Sequence, residues 1–382
     1  MLLLRLKHKE ELLAIPSNQL PVIVHLIYRL DIGGLERVML NCINKLAGEP
    51  YKHVIISLTD ANHFAQDQES PLEVFCLNKK QGNDFSVHFK LFKLLKQIQP
   101  HILHSYNLST IEYHPIAWLA GVPGHIHAEH GRDIADPQGL NKKHNFLRKL
   151  MAYFIQRYIC VSEDLFQWLI STVGIPQNKA LLIQNGIDTE QFNLAKKDSD
   201  SIRLAIVARI SPVKDHYNLL KALVILQGKV GLQDMPQVSV VGDGTQKAEL
   251  EKFCQSNKLT SVNFLGARDD IAQIISETDI FVLSSLAEGI PMTILEAMSG
   301  KTAVVSTAVG GIPEVITDGV EGFLVEKSNP EALASAIKKY LDEPELIAKH
   351  GEKGRERILN HFNEKNMVQA YLNEYNALIG KG

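Results

Sequence analysis

Residues 280–300 read IFVLSSLAEGIPMTILEAMSG, and they combine the signals of a strand, a loop and a helix. Ile280–Leu283 is a short apolar run without alternation, which is typical of a parallel strand covered by helices on both faces. A loop follows, and Pro291 suits the first turn of a helix, where its missing N–H costs nothing. Gly300 suits the end of that helix. The stretch predicts a strand–loop–helix unit, which is the repeating element of an α/β sheet.

The same alternation of short apolar runs and longer helical patterns continues through the chain, and it predicts βαβ units in doubly wound sheets. The strands are predicted at Val22–Tyr28, Val54–Leu58, Val74–Leu77, Ile102–His104, His125–Glu129, Tyr158–Val161, Leu204–Val207, Gln237–Val241, Val262–Leu265, Ile280–Leu283, Ala303–Ser306 and Gly322–Val325. A polar segment without hydrophobic period, 193–201, separates two halves. We therefore expect two domains, 1–190 and 201–362, and a C-terminal helix that begins at Asn363.

Composition agrees with a folded protein and excludes several classes. The 382 residues are 45% hydrophobic and 22% charged, with a net charge of −3, which argues against disorder and against a nucleic-acid binder. The four cysteines form no CxxC pair, so we expect thiols in a reducing compartment. The N-terminal apolar run is too short for a signal peptide, and no run of about 18 apolar residues occurs. The expected location is the cytoplasm.

Glycines and chemically reactive side chains follow the predicted strands in both halves. In open parallel sheets, ligands bind outside the carboxyl ends of the strands. Two Rossmann-like sheets that face each other would bring all these loops to one central cleft. The residues concerned are Gly33-Gly34, His104, His130, Arg209, Gly242-Asp243-Gly244, Glu288-Gly289 and Gly310-Gly311.

The segment Glu288–Glu296 carries the densest chemistry. Gly289, Ile290 and Pro291 would lie at a helix N-terminus, where N–H groups and the helix dipole favour phosphate. Glu296 sits among apolar neighbours, and a buried carboxylate is costly unless something bonds to it. Vicinal ribose hydroxyls could donate to it. The alternative is a glutamate on a solvated stripe, or one paired with a lysine.

Arg209 and Lys214 follow the first strand of the second half, and two cations there suit a diphosphate. The alternative for Lys214 is a surface ion pair with Asp215. Gly33-Gly34 lacks the GxGxxG pattern of nicotinamide cofactors, but it would let a ligand approach the backbone closely; a plain turn is equally compatible. Gly242-Asp243-Gly244 is more typical of a turn than of a phosphate cradle.

The histidines invite a metal-site interpretation that the pattern does not support. No carboxylate cluster accompanies them, so a structural or solvated role is expected for His101, His114, His125 and His127. His130 differs because a glycine follows it at a strand end. A DxD pattern occurs at 198–200, but it lies in the polar linker and is interpreted as a solvated charge run. We expect neither a metal nor any other cofactor.

Together these segments resemble the retaining glycosyltransferases of family 4, which have the GT-B fold. EGIPMTILE is similar to their E-x7-E motif, and further segments match in order from about Val22 to the end of the chain. They are GGLERV (33–38), HGRD (130–133), CVSEDL (160–165), QNGID (184–188), ARISPVKDH (208–216), VGDG (241–244) and GGIPEVI (310–316). Gln184 stands where the family usually has proline. HLIYRLDIGGLERV also resembles sugar transferases of bacterial exopolysaccharide clusters linked to exosortase systems.

The resemblance implies roles for matching residues. Arg209 and Lys214 would bind the diphosphate of a UDP- or GDP-sugar, Glu296 its ribose, and Glu288 would lie by the donor sugar. His130 would contact that sugar, and Gly34 would line the phosphates or the acceptor. The acceptor would be a glycan or a lipid-linked sugar, whose hydroxyl group would attack the donor sugar with retention of its configuration and without a metal. The C-terminal helix, 363–382, would return to the first domain.

Two rival functions remain compatible with the sequence. A hydrolysing UDP-sugar 2-epimerase has a similar fold, although it needs more acidic groups around the sugar than Glu288 and Asp133 supply. A non-catalytic relative would bind nucleotide sugars without turnover.

A helix predicted around 141–158 combines basic and apolar residues, a combination that favours contact with an anionic membrane surface. The alternative is a core-packed helix with a solvated basic face. The basic and apolar residues are Lys142, Lys143, Arg148, Lys149, Phe146, Leu147, Leu150, Met151 and Phe154.

Overall fold

The computed structural model describes residues 20–31, 33–61, 72–133, 136–197, 199 and 201–380. The chain forms two compact units, residues 1–184 with 365–382 and residues 185–364. Each unit is built around one parallel sheet, and helices connect most of the successive strands in the described residues. The predicted α/β class with two Rossmann-like sheets is therefore confirmed.

The first unit contains a seven-stranded parallel sheet with the strand order β3-β2-β1-β4-β5-β6-β7. Its strands are β1 (Val22–Ile27), β2 (Lys52–Ser57), β3 (Glu73–Cys76), β4 (Ile102–Tyr106), β5 (Gly124–Glu129), β6 (Arg157–Cys160) and β7 (Ala180–Leu182). Its helices are α1 (Gly34–Lys45), α2 (Ser86–Ile98), α3 (Leu108–Ile111), α4 (His114–Leu119), α5 (Lys142–Met151) and α6 (Glu163–Trp168), together with most of the C-terminal α14 (Glu364–Ile379). The switch in strand order lies between β1 and β4, where open sheets bind ligands.

The second unit contains a six-stranded parallel sheet with the order β10-β9-β8-β11-β12-β13, which repeats the Rossmann arrangement. Its strands are β8 (Arg203–Val207), β9 (Gln237–Val241), β10 (Val262–Gly266), β11 (Ile280–Leu283), β12 (Ala303–Thr307) and β13 (Gly322–Val325). Its helices are α7 (His216–Val230), α8 (Lys247–Ser256), α9 (Ile271–Ser276), α10 (Met292–Ser299), α11 (Ile312–Val315), α12 (Pro330–Asp342) and α13 (Glu345–His361).

Two expectations about secondary structure were wrong. His104 does not end a strand, because β4 continues to Tyr106; its buried side chain bonds to Tyr375 of α14. The helix predicted around 141–158 ends at Met151, since the chain must turn before β6 begins at Arg157. In both places the apolar pattern alone did not show where one element stops.

Candidate functional site

In the second unit, the loops after β8, β9, β11 and β12 are packed against one another by backbone contacts. A Cβ atom on Gly242 would lie 2.0 Å from the carbonyl oxygen of Ala208, and one on Gly310 would lie 1.9 Å from that of Glu288. Both glycines also have positive φ, 137° and 54°. No other residue fits such close approaches without a shift of the backbone. The strand-end loops that carry the candidate residues are therefore held in fixed register.

Lys214 and Glu288 lie next to each other in the loops at the carboxyl ends of these strands. The Lys214 Nζ donates to Glu288 Oε1 at 2.5 Å, and the Ser285 hydroxyl donates to the same oxygen at 2.6 Å. The two charged side chains are 24% and 9% exposed. The alternative pairing of Lys214 with Asp215 was wrong, because the Asp215 carboxylate caps α7 by accepting from the backbone N–H of Asn218. A cation and a carboxylate thus lie side by side at the end of the sheet.

Backbone contacts fix this pair from both sides. The Leu286 N–H donates to the Val213 carbonyl at 2.8 Å, and the Ser284 hydroxyl donates to the Asp215 carbonyl at 2.9 Å. The loop after β11 and the loop after β8 are therefore joined next to Lys214. Arg209 lies two residues beyond β8 with an exposed side chain.

Glu296 lies inside α10 and is only 3% exposed. Its neighbours along this short helix are apolar and equally buried, so the solvated-stripe interpretation was wrong. Pro291 occupies the N-cap of α10, one position before the first turn where the sequence had suggested it, and Gly300 follows as the C-cap. Asn185 donates to the carbonyl of Ile290 at 3.0 Å, which anchors the loop just before the helix. Gly289 and Ile290 are buried in this loop.

In the first unit, Gly33 has an extended conformation, with φ −159° and ψ 169°, and serves as the N-cap of α1. Gly34 is the first helical residue and is exposed. The pair therefore marks a helix start after β1 and its loop. The extended backbone at Gly33 does not require a glycine.

His130 follows β5 directly, and its position is defined by a side chain that the sequence did not single out. The backbone N–H of His130 donates to Asn107 Oδ1 at 2.8 Å. The imidazole ring of His130 lies 5.7 Å from the ring of Tyr106, centroid to centroid. Burial lowers the pKa of His130 to about 4, and the Glu129 carboxylate offsets this only in part. The imidazole is therefore neutral at physiological pH, so it can both donate and accept one hydrogen bond.

The structure brings most of the candidates together within one unit. Arg209, Lys214, Glu288 and the loop 289–291 all follow strands of the second sheet, as does Gly242, and Glu296 lies in the helix after that loop. Gly33, Gly34 and His130 lie after β1 and β5 of the first sheet. Asp198 and Asp200 of the DxD pattern lie outside the described residues. Among the residues that the structure does describe, no group of three or more His, Cys, Asp or Glu could hold a metal.

Sequence reasoning missed three functional candidates and misplaced a fourth. Ser285, Asn107 and Glu129 lie at or next to strand ends, which was the available signal, but serine, asparagine and an interior glutamate there have ordinary structural explanations. Arg148 had been assigned to a basic membrane face, yet it is 2% exposed and donates to Glu129 at 2.6 Å. The 3.6-residue period of the helix does not show which basic residue points inward, because apolar residues lie beside Arg148 and beside the exposed lysines alike.

The remaining part of α5 does present a mixed surface. Phe146 is 67% exposed and Leu150 is 43% exposed, and Tyr153, just after the helix, is 85% exposed. Lys142, Lys143 and Lys149 are also exposed, whereas Met151 is buried. In the described part of the chain, no helix is both long and apolar enough to cross a bilayer.

Two protein families match consecutive parts of the chain. The family described as Glycosyltransferase Family 4 matches residues 32–191, and the one described as Glycosyl transferases group 1 matches residues 187–357. Between them they cover every candidate site residue and every strand except β1.

Relatives with a stated activity are similar over much of the chain. The UDP-Gal:alpha-D-GlcNAc-diphosphoundecaprenol alpha-1,3-galactosyltransferase of Escherichia coli is 27% identical over 355 residues, which cover 87% of this chain and 90% of that protein. The N,N'-diacetylbacillosaminyl-diphospho-undecaprenol alpha-1,3-N-acetylgalactosaminyltransferase of Campylobacter jejuni is 27% identical over 249 residues, covering 62% of this chain and 64% of that protein.

Solved structures share the fold. HepE of Anabaena, in complex with UDP and glucose, superposes with a TM-score of 0.80 at 20% identity, covering 93% of this chain and 99% of that one. A glycosyltransferase from Rickettsia africae gives a TM-score of 0.77 at 20% identity, covering 95% of this chain and all of that one. At this level of identity the superpositions show the fold alone.

Proposed function

Because the chain belongs to the family 4 glycosyltransferases with the GT-B fold, we propose that it transfers a sugar from a UDP- or GDP-sugar to a hydroxyl group with retention of configuration. The observation that carries the proposal is the arrangement in the second unit. Lys214 and Glu288 are hydrogen-bonded at the end of the sheet, and buried Glu296 follows in α10.

The donor nucleotide would bind to the second unit. Arg209 and Lys214 supply positive charge for the diphosphate, and the loop 289–291 leads into the N-terminus of α10, which favours phosphate. Glu296 would accept from the ribose hydroxyls, whose donation repays the desolvation of a carboxylate that is almost wholly buried. The paired glycines Gly242 and Gly244 shape the neighbouring loop.

Catalysis would rest on charge stabilisation. Negative charge grows on the leaving diphosphate as its bond to the sugar breaks, so fixed cations stabilise the transition state more than the ground state. Lys214 would leave Glu288 for the diphosphate, and the freed Glu288 carboxylate would face the donor sugar. Neutral His130 would contact that sugar, and the acceptor hydroxyl would attack from the face that the diphosphate leaves.

We further propose that no divalent metal takes part, because Arg209 and Lys214 can provide the charge that a bridging cation would supply. The test is activity in excess EDTA with a purified donor and acceptor. Undiminished turnover supports the proposal. Complete loss that Mg²⁺ or Mn²⁺ restores would mean that the diphosphate is held by other groups.

The acceptor is proposed to be a glycan or a lipid-linked sugar, in polysaccharide or cell-envelope synthesis. The names of the Escherichia coli and Campylobacter jejuni relatives both specify acceptors linked to undecaprenyl diphosphate. The exposed aromatic and basic residues of α5 would hold the enzyme at the cytoplasmic surface of a membrane that carries such a lipid.

Vesicle sedimentation tests the membrane contact. The double variant Phe146→Ser/Tyr153→Ser should bind less to vesicles that contain anionic phospholipid than the unchanged protein does. Leu232→Ser is the matched control, because Leu232 is 59% exposed on the second unit. Equal sedimentation of the protein with and without anionic vesicles would reject the contact.

A thermal-shift screen of nucleotides and nucleotide sugars tests the donor class. A ligand that binds only the native state raises the melting temperature with its concentration. We expect a shift with UDP or GDP and a larger one with one of their sugars. Conversion of that sugar to an epimer without any acceptor would instead identify an epimerase, and binding without turnover on any acceptor would identify a non-catalytic relative.

A further inference from the structure

A continuous chain of buried hydrogen bonds runs through the first unit, on one face of its sheet. Strand alternation places His125, His127 and Glu129 of β5 on this face. Ser105 of β4 faces the same way, and His114 of α4 packs against it. Each of these five side chains is at most 2% exposed. Water therefore does not reach the chain from the surface.

Five hydrogen bonds link the members in order. They are Val122 O to His125 Nε2 (3.0 Å), His125 Nδ1 to His114 Nδ1 (3.0 Å), His114 Nε2 to Ser105 Oγ (2.7 Å), Ser105 Oγ to His127 Nδ1 (2.7 Å), and His127 Nε2 to Glu129 Oε1 (3.2 Å). The chain thus starts at a backbone carbonyl and ends at a carboxylate, and both of these ends can only accept.

A count of protons shows that this chain is one short when its imidazoles are neutral and Glu129 is a carboxylate. Five bonds require five donated hydrogens. Three neutral imidazoles and one hydroxyl supply only four, since a neutral imidazole has one N–H and a serine one O–H. One further proton must therefore lie either on Glu129 or on one of the imidazoles.

The carboxylate is not the place for that proton. Arg148 Nε donates to Glu129 Oε1 at 2.6 Å, and its Nη2 donates to Oε2 at 3.4 Å. Burial alone would raise the pKa of Glu129, but the Arg148 charge and the His127 hydrogen bond lower it to about 2. The extra proton must therefore lie on an imidazole.

His127 is the imidazole that can hold it, because it alone of the three bonds to the carboxylate. Burial lowers the pKa of His125 to about 4 and that of His114 well below its ordinary value, so both disfavour the charged form. Two other titratable neighbours of His127 are His104 and His130, and burial lowers the pKa of each, so neither adds positive charge. Tyr158 of β6 also faces His127; its ring lies edge-on at 5.6 Å and its hydroxyl donates to the Arg148 carbonyl. Tyr158 therefore adds no negative charge.

We propose that Glu129, clamped between Arg148 and an imidazolium at His127, is a positioning residue that fixes His130 at the end of β5. Glu129 is the last residue of that strand and precedes His130 directly. Arg148 and His127 hold the side chain of Glu129 on one side of this peptide bond. On the other side, the backbone N–H of His130 donates to Asn107 Oδ1 at 2.8 Å. The proposal rests on the proposed role of His130 at the donor sugar.

Nitrogen-15 spectra of the histidine rings test the protonation state in the unchanged protein, without any variant. At pH 7.5 we expect one buried histidine with both ring nitrogens protonated, assigned to His127. Spectra in which His114, His125 and His127 all have a single N–H would overturn the inference. This experiment needs no ligand, so its result is independent of the proposed function.

The variant Glu129→Gln tests whether Glu129 fixes the position of His130. We expect His127 to lose its second proton and the His130 amide to exchange about tenfold faster, while the amides in the middle of β5 keep their protection. Glu374→Gln is the matched control, because it breaks the Arg157–Glu374 pair of the same unit, and it should change neither signal. If His130 is unchanged in Glu129→Gln, or if all of β5 loses protection, Glu129 is structural only.

A kinetic arm distinguishes this inference from the proposed function. With UDP-glucose as the donor and water as the acceptor, Glu129→Gln should hydrolyse UDP-glucose to UDP and glucose about 100-fold more slowly at unchanged affinity for UDP, since small displacements of a reacting-site group reduce rates on that scale. Equal rates would overturn the positioning role. An unchanged protein that neither binds UDP nor forms it from UDP-glucose counts against the proposed function, and the exchange rate of the His130 amide in Glu129→Gln still decides whether Glu129 positions His130.

Discussion

Replacing Lys214 by alanine removes the cation that bonds to Glu288 and that we place on the donor diphosphate. Loss of one donor to a developing oxyanion typically costs about 2.7–4 kcal/mol, or roughly 100- to 1000-fold in rate. We expect Lys214→Ala to fall in that range for turnover. Affinity for UDP should also fall, by about 10- to 100-fold, because a charge-assisted hydrogen bond contributes about 1.5–3 kcal/mol.

The cost to stability is smaller and follows from the burial of the pair. Exposed ion pairs contribute about 0–1 kcal/mol, and breaking a fully buried pair costs about 3–5 kcal/mol. With Lys214 24% exposed and Glu288 9% exposed, and with Ser285 still donating to Glu288, we expect a loss of about 1–2 kcal/mol. For a unit of this size that corresponds to a melting temperature lower by roughly 3–6 °C.

The assay measures turnover, UDP affinity and thermal unfolding of Lys214→Ala beside Lys338→Ala. Lys338 is the matched control, because it pairs with Asp342 on α12 of the same unit and is 33% exposed. The control should keep full activity and lose at most about 1 kcal/mol. A Lys214→Ala enzyme with undiminished turnover would refute the assignment of the diphosphate to the loops at the carboxyl ends of the second sheet.

Three further predictions concern other residues. Glu296→Ala should weaken binding of free UDP or GDP, because a ribose contact is made in ground and transition states alike; unchanged affinity in calorimetry would remove it from the site. His130→Ala should reduce turnover more than nucleotide affinity, and the opposite pattern in steady-state kinetics would contradict its contact with the sugar. The first unit should lose stability as pH falls from 6.5 towards 4. Burial lowers the pKa of His53, His125 and His130 to about 4, so the unfolded chain binds protons at higher pH than the folded one. Each imidazole removes up to about 3 kcal/mol at pH 4, and calorimetry that shows no acid-induced drop in its melting temperature between pH 7 and 5 would contradict this.

The sequence predicted most strands of the sheets because short runs rich in apolar and β-branched residues mark them. Ile280–Leu283, Gln237–Val241 and Gly322–Val325 have the predicted limits. β7 (Ala180–Leu182) was missed, since three residues at the edge of a sheet have no periodicity to detect. The extent of β4 was also missed, because Ser105 and Tyr106 interrupt its apolar run.

The candidate site was predictable where residue type and strand end coincide, as at Lys214 and Glu288. What could not be predicted was which partner each side chain has. Lys214 bonds to a residue 74 positions away rather than to adjacent Asp215, and Arg148 turns inward to Glu129. Both outcomes depend on tertiary contacts, which helical or strand period does not encode.

A crystal structure of the protein with bound UDP or GDP tests the proposed donor site directly. In that structure, diphosphate oxygens should lie within hydrogen-bond distance of Arg209 and Lys214, and the ribose hydroxyls should donate to Glu296. Lys214 should have left Glu288. A nucleotide bound elsewhere, or a ribose that does not touch Glu296, would contradict the proposed donor site.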